Sequence, residues 1–411
     1  MIDAKKVGER IAALRKERGL TGEQFAELLQ VSAQAVSKWE NGKNLPGTAL
    51  LPDISELLGT SIDDMLMPRA YSVRCHKGGR YIDGVSPLQF GVGKDCTWAG
   101  AYQILLRAMG VKADYAEIMG FSGACYYLAM TRDWCPSAAM PQILYDPTSL
   151  AEQAFGVRGA YFMTEERDLR VRESIDRGLP VMLIEPRVEM EWGVLCGYTS
   201  DGNFYGRSYF DYLRPDERDC FTNNYYYLAD SYPGADPERI YFLQERTMML
   251  PRHKALKASL KTAQRLYKAD TRGNGQYVFG TAAYDVLIRG LRCEDEAFAA
   301  ISSYGTTENG ILLLSRLIDA RKAAAMFWMM QLKYIPDRNV SLIRDLIGLY
   351  QQMVGALEAL LPEELLRNAL NGYPVRAWTK ELRRGLADAL SECKRWEIQV
   401  LEKIESVLKQ W

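Results

Sequence analysis

The first 66 residues alternate short stretches of three-and-four apolar spacing with tight turns, the pattern of a run of short helices. Val7, Ile11 and Leu14 fall on one face of a first helix that stops at Gly19. Thr21 then stands where a second helix begins, with Gln24 three residues on, a reciprocal capping pattern; Phe25, Leu28 and Leu29 form its apolar side. Val31 leads to Ser32, the cap of a third helix that turns Ala35, Val36 and Trp39 inward and Ala33, Gln34, Ser37 and Lys38 outward. Asn41–Gly42 closes that helix, because glycine tolerates the left-handed conformation that follows a helix end.

Beyond Tyr71 the pattern changes. Residues 71–250 mix helical stretches with apolar runs of strand length, 181-VMLIE, 192-WGVLCGY, 204-FYGRSYF and 240-IYFLQE, each flanked by Gly, Pro or Asp. VRESIDRGLP reads as a helix ending at Gly178. Helices come first and strands cluster afterwards, which predicts α+β rather than alternating βαβ order. Residues 254–411 are helical almost throughout. In the last stretch Leu386, Leu390, Cys393, Val400, Ile404 and Val407 recur mostly at three and four, as on a bundle helix or a dimerising coiled coil. Three segments result, 1–68, 71–250 and 254–411, with joins near Pro68–Tyr71 and Pro251.

Composition narrows the class. The chain has 411 residues, enough for more than one core, and 25% charged residues with a net charge of −1. The first 70 residues carry nine Lys+Arg against ten Asp+Glu, so any contact with nucleic acid depends on charges gathered on one face. No apolar run has the length of a membrane span, and MIDAKKVGERIAAL is an amphipathic helix pattern rather than a secretion signal. The eight cysteines are scattered and never form C-x-x-C, which fits a reducing cytoplasm better than a disulfide scaffold. With two histidines, His76 and His253, and no ligand spacing, neither metal nor cofactor is expected. Gly78–Gly79 and the GNG at 273–275 read as turns, since no GK[ST] follows, and YYYL at 225–228 as core.

The outer face of the third helix carries short or amide-bearing side chains around one lysine, where a merely solvated helix carries long charged ones. Short side chains let a helix lie close in the major groove; glutamine can bond adenine twice, and lysine can reach guanine or phosphate. LTGEQFAELLQVSAQAVSKWENGKNLP resembles the second and third helices of the Cro/CI (XRE-type) helix-turn-helix family. The resemblance implies that Ala33, Gln34 and Lys38 face bases, that Gln24, Ser32, Asn41 and Lys43 lie near phosphates, and that Gln34 and Ser37 point into the groove. It departs from the family at Gly22, often Gln there, and at Ala33, often Arg, so two contacts are missing.

The second candidate chemistry is Cys96, in GKDCTWAGAYQILLRAMG, at the start of an apolar helix. The helix dipole there favours a thiolate, and Gln89 upstream could supply an oxyanion donor. DCTWAGAYQILLRAMG, 116-AEIMGFSGACYYLAM, 177-RGLPVMLIEP and EWGVLCGYTSDGNFYGRSYFD together resemble the papain-like cysteine peptidases. Within that superfamily they are similar to the leader-peptide-cleaving peptidases and the N-terminal domain of the BtrH-type acyltransferases. The resemblance implies a catalytic histidine at the opening of the EWGVLCGY strand and an acid in the next. This chain has Glu191 or Trp192 at the first place and Ser208, with Asp211 close by, at the second. No histidine falls between His76 and His253, and an exposed Glu191 carboxylate is too weak a base to ionise a thiol.

The expectation is a multidomain cytoplasmic regulator with an all-α helix-turn-helix head, an α+β papain-like middle domain without its base, and an α-helical C-terminal domain. Its expected partners are operator DNA, a second copy of the chain, and a small-molecule or peptide effector held near Cys96, Trp98, Glu191 and Trp192. A cysteine-dependent acyltransferase or amidase using Cys96 stays open as the alternative.

Overall fold

The computed structural model describes residues 3–60, 62–66, 71–76, 78–161, 166–184, 191–211, 218–220, 225–228, 240–269, 275–303, 305–370 and 376–411. The join at Pro68–Ala70, the Gly273 end of the GNG turn and the side chains of YYYL lie outside them. Contacts divide the chain into two compact units, residues 1–72 with 107–110, and the remainder.

The first unit is helical: α1 (Ala4–Glu17), α2 (Gly22–Leu28), α3 (Ala33–Glu40), α4 (Leu51–Leu58) and α5 (Ile62–Leu66). The expected caps form. The Thr21 hydroxyl accepts the Gln24 amide at 3.2 Å, and the Gln24 side chain accepts the Thr21 amide at 2.8 Å. Ser32 caps α3 through the Ala35 amide, and Gly42 has φ +67°. Val7, Ile11, Phe25, Val36, Trp39 and Ile54 make one core. Leu28 departs from expectation: it is 54% exposed, because Phe25 and Leu29 already fill the inward side of α2. Arg15 of α1 donates to Glu40 of α3 at 2.6 and 2.9 Å and to the Leu20 carbonyl at 2.6 Å, pinning the ends of the motif together. Gly8 sits where a Cβ would lie 2.0 Å from the Trp39 carbonyl oxygen, so only glycine lets α1 approach α3 this closely.

In the second unit the strands are β1 (Ser72–His76), β2 (Gly79–Asp83), β3 (Ala129–Thr131), β4 (Val157–Tyr161), β5 (Val181–Ile184), β6 (Trp192–Tyr198), β7 (Phe204–Arg207), β8 (Arg218–Cys220), β9 (Tyr225–Leu228), β10 (Ile240–Arg246) and β11 (Tyr277–Phe279). Nine of them build one sheet in the order β4-β10-β5-β6-β7-β9-β8, with β2 also bonded to β6 and carrying β1. Among the described residues β10 pairs antiparallel with β4 and β5, β6 with β2, β5 and β7, and β9 with β7 and β8, so β5 and β2 take successive stretches of β6. A bulge between Leu195 and Gly197 marks the change.

The helices are α6 (Thr97–Ala108), α7 (Tyr115–Ser122), α8 (Pro147–Phe155), α9 (Arg167–Asp176), α10 (Arg252–Tyr267), α11 (Thr281–Leu291), α12 (Asp295–Ala299), α13 (Thr306–Gln331), α14 (Asp337–Glu358), α15 (Glu363–Leu370) and α16 (Lys380–Gln410). The helical segment shares a single compact unit with the sheet: β11 pairs with β3, and α13 packs between α7 and α14. The apolar stripe of α16, Leu386 to Val407, is 0% exposed, buried within the chain against α10, α11 and α14, so it is a bundle stripe and not a free coiled-coil seam. Arg321 of α13 and Glu397 of α16 form a fully buried ion pair at 2.5 Å, and Arg321 also donates to the Cys125 carbonyl at 2.8 Å. No helix among the described residues is long and apolar enough to cross a membrane.

Candidate nucleic-acid interface and the Cys96 cleft

Two caps and one apolar face position α3. Val36 and Trp39 anchor it in the core, with Ala35 half-buried, and this rotates the opposite face outward. Ala33, Gln34, Ser37 and Lys38 are all exposed. Ser32, Gln24, Asn41 and Lys43 are exposed as well. Gln24 spends its side-chain oxygen on the Thr21 amide, and its NH2 has no partner among the described residues. Asn41 turns its amide inward, donating to the Ser37 carbonyl at 2.8 Å and its hydroxyl at 3.3 Å, so it finishes the helix before it reaches anything else. Gln34, Lys38 and Lys43 make no hydrogen bond or ion pair among the described residues. Solvent-facing amide and ammonium donors on a short-side-chain surface are what base and phosphate contacts require.

The profile of the family described as Helix-turn-helix matches residues 11–65. Residues of this chain are 45% identical over 58 positions to the HTH-type transcriptional activator BcrR of Enterococcus faecalis, covering 14% of this chain and 28% of that protein. They are 36% identical over 67 positions to the uncharacterized HTH-type transcriptional regulator YazB of Bacillus subtilis (strain 168), covering 16% of this chain and 97% of YazB. The chain belongs to the HTH-type transcriptional regulators. The family match lies in the head, and the chain spans about a quarter of BcrR.

In the second unit of this regulator, Cys96 precedes α6 in a loop, and its amide donates to the Tyr115 hydroxyl at 3.0 Å. The next residue, Thr97, donates its hydroxyl to Glu191 at 2.6 Å and accepts the Trp192 amide at 3.4 Å, so the start of α6 meets the start of β6. The Cys96 thiol does not gain from the helix start: burial pushes it up to about 12. Glu191 is not the exposed carboxylate expected. It is 5% exposed, and its other oxygen pairs with Arg316 of α13. Both oxygens are therefore engaged, and neither is offered to the thiol. Gln89 lies exposed in the loop before α6. Ser208 and Asp211 are buried, and Asp211 accepts the Ser208 amide at 3.1 Å, closing the turn after β7. His253 is exposed at the start of α10.

A cleft of about 430 Å³, counted out to its open mouth, lies beside Cys96. Of the four residues expected around an effector, only Cys96 lines it. Trp98 is 1% exposed, stacked on Tyr102 and bonded to Thr148 at 3.1 Å, and Trp192 is 2% exposed. Both are core residues, Trp98 on the buried side of α6 and Trp192 at the start of the central strand β6. The cleft walls come instead from α7, the 124–141 stretch and α13, including Met119, Leu128, Leu313, Arg316 and Leu317.

Helix α13 contributes groups that its sequence pattern does not single out. Ser315 donates to Asp95, which also accepts the Gly91 amide at 2.7 Å. Asp319 accepts the Tyr115 hydroxyl at 2.6 Å. Burial raises the Asp95 carboxyl, and burial with repulsion from Asp95 raises Asp319 to about 7. Among the described residues no group of three or more His, Cys, Asp or Glu is placed to hold a metal ion.

Proposed function

We propose that this protein is a sequence-specific DNA-binding transcriptional regulator, that α3 is its recognition helix, and that the unit from Val73 onward is a non-catalytic papain-like module that senses an effector. One observation carries the DNA reading: α3 is anchored by Val36 and Trp39 and holds Gln34 and Lys38 outward with no partner among the described residues. Gln34 makes the base contact, Lys38 reaches guanine or phosphate, and Gln24, Ser32 and Lys43 lie along the backbone. Two copies of the chain place their recognition helices about 34 Å apart on successive major grooves.

The papain-like reading is supported by the meeting of Thr97 with Glu191 and Trp192, which sets the residue beside Cys96 against the place where the resemblance expects a histidine. The non-catalytic reading is supported by a thiol held at about 12 and by a Glu191 carboxylate already engaged by Thr97 and Arg316. A general base must be within reach of the proton it takes and have a matching pKa. Effector binding in the Cys96 cleft then shifts the placement of the two heads on DNA.

Selection of DNA fragments bound by the full chain tests the first half. A palindromic consensus is expected, and Gln34→Ala is expected to lose about 1–3 kcal/mol of discrimination at one base pair per half-site while weak general binding persists. Uniform loss across all sequences refutes the base contact. Turnover of a thioester or peptide that disappears with Cys96→Ala refutes the non-catalytic module.

A further inference from the structure

We infer that the Cys96 cleft takes a small uncharged ligand, a short aliphatic body bearing one carbonyl oxygen, as in an amide, ester or lactone. The inference rests on the proposal that this cleft is the effector site and adds the chemistry of its occupant. The walls are apolar, with Met119, Leu128, Leu313 and Leu317 facing the space and alanines, Ala320 among them, leaving the room. Such walls bind aliphatic groups and leave orientation to a few polar atoms.

Arg316 supplies that polar atom. Its side chain is 10% exposed and lines the cleft. One of its terminal nitrogens pairs with Glu191, while its Nε–H is buried with no acceptor among the described residues. A buried donor without an acceptor is costly, so a ligand that brings one oxygen to Nε is favoured beyond its apolar contacts. Charge decides which oxygen. Glu191 already neutralises the guanidinium, and Asp95 and Asp319 lie close enough to act on Cys96 and Arg316. A carboxylate would enter among carboxylates, and an ammonium has no lone pair with which to accept from Nε–H. A neutral carbonyl meets neither obstacle, and the Cys96 thiol, protonated at neutral pH, adds no charge.

The test is thermal unfolding of the full chain with butyramide, butyrate or butylamine at equal concentration, three probes of one size and three charges. Butyramide is expected to raise the transition by a few degrees at saturating concentration, and the other two to leave it in place. The shift is expected to vanish in Arg316→Lys, which keeps a cation for Glu191 but removes Nε–H, and in Ala320→Leu, which fills the cleft. A shift with butyrate equal to that with butyramide overturns the uncharged class. No shift with butyramide, or one that survives Ala320→Leu, overturns the site. Affinity for a selected DNA fragment, measured in the same samples, reports separately on the effector role: a thermal shift with unchanged DNA affinity leaves the ligand chemistry standing and removes the sensing proposal.

Discussion

Replacing Asp319 by asparagine should change how the stability of this protein responds to pH more than its stability at any one pH. The carboxyl is buried between the loop ahead of α6 and α13, accepts the Tyr115 hydroxyl at 2.6 Å, and is raised to about 7 by burial and by Asp95. In the unfolded chain an aspartate titrates near 3.9. The folded state therefore holds this proton more tightly, and between about pH 4 and pH 7 folding becomes less favourable as pH rises. Linkage over that pair of values gives a loss of roughly 2–3 kcal/mol between pH 5 and pH 8. Burial raises Asp95 in the same direction, the two carboxyls share this environment, and Arg316 and Lys322 moderate Asp95. The asparagine side chain resembles the neutral acid in shape, can still accept from Tyr115, and has no proton to lose. Urea unfolding at pH 5 and pH 8 should show the wild type losing roughly 2–3 kcal/mol relative to Asp319→Asn, read as a falling midpoint at constant slope. Parallel pH profiles for the two proteins refute the buried-charge account.

Three further outcomes follow from other parts of the molecule. Gly8→Ala should destabilise the head by about 1–3 kcal/mol or more, because its Cβ would meet the Trp39 carbonyl oxygen at 2.0 Å; the check is the head's own unfolding transition and its DNA affinity. Arg321→Met should cost about 3–5 kcal/mol by stranding Glu397 in the core, and Arg321→Met with Glu397→Leu should recover much of that in chemical denaturation. Brief iodoacetamide treatment at neutral pH should label the exposed Cys75 well before Cys96, whose thiol is held at about 12; equal labelling by peptide mass mapping contradicts that environment.

What the sequence by itself determined was the head. Its signals are local: Thr21 and Gln24 cap each other three residues apart, Ser32 opens α3, and Gly42 closes it. The strands at 181, 192, 204 and 240 were legible because they are apolar runs, whereas β4, in VRGAY, and β1, in SVRCH, have too mixed a composition to stand out. The resemblance around Cys96 named four residues for a pocket, and of these Cys96 alone lines the cleft beside it. Trp98 and Trp192 turned inward, and Glu191 found Arg316, 125 residues away. Ser315, Arg316 and Asp319 look in sequence like ordinary polar positions on a long helix, yet Ser315 meets Asp95 across 220 residues. Only the tertiary structure decided that site, because the free energy of a buried charge depends on which groups surround it in space, and helix periodicity records which side of α13 faces inward without recording what lies opposite.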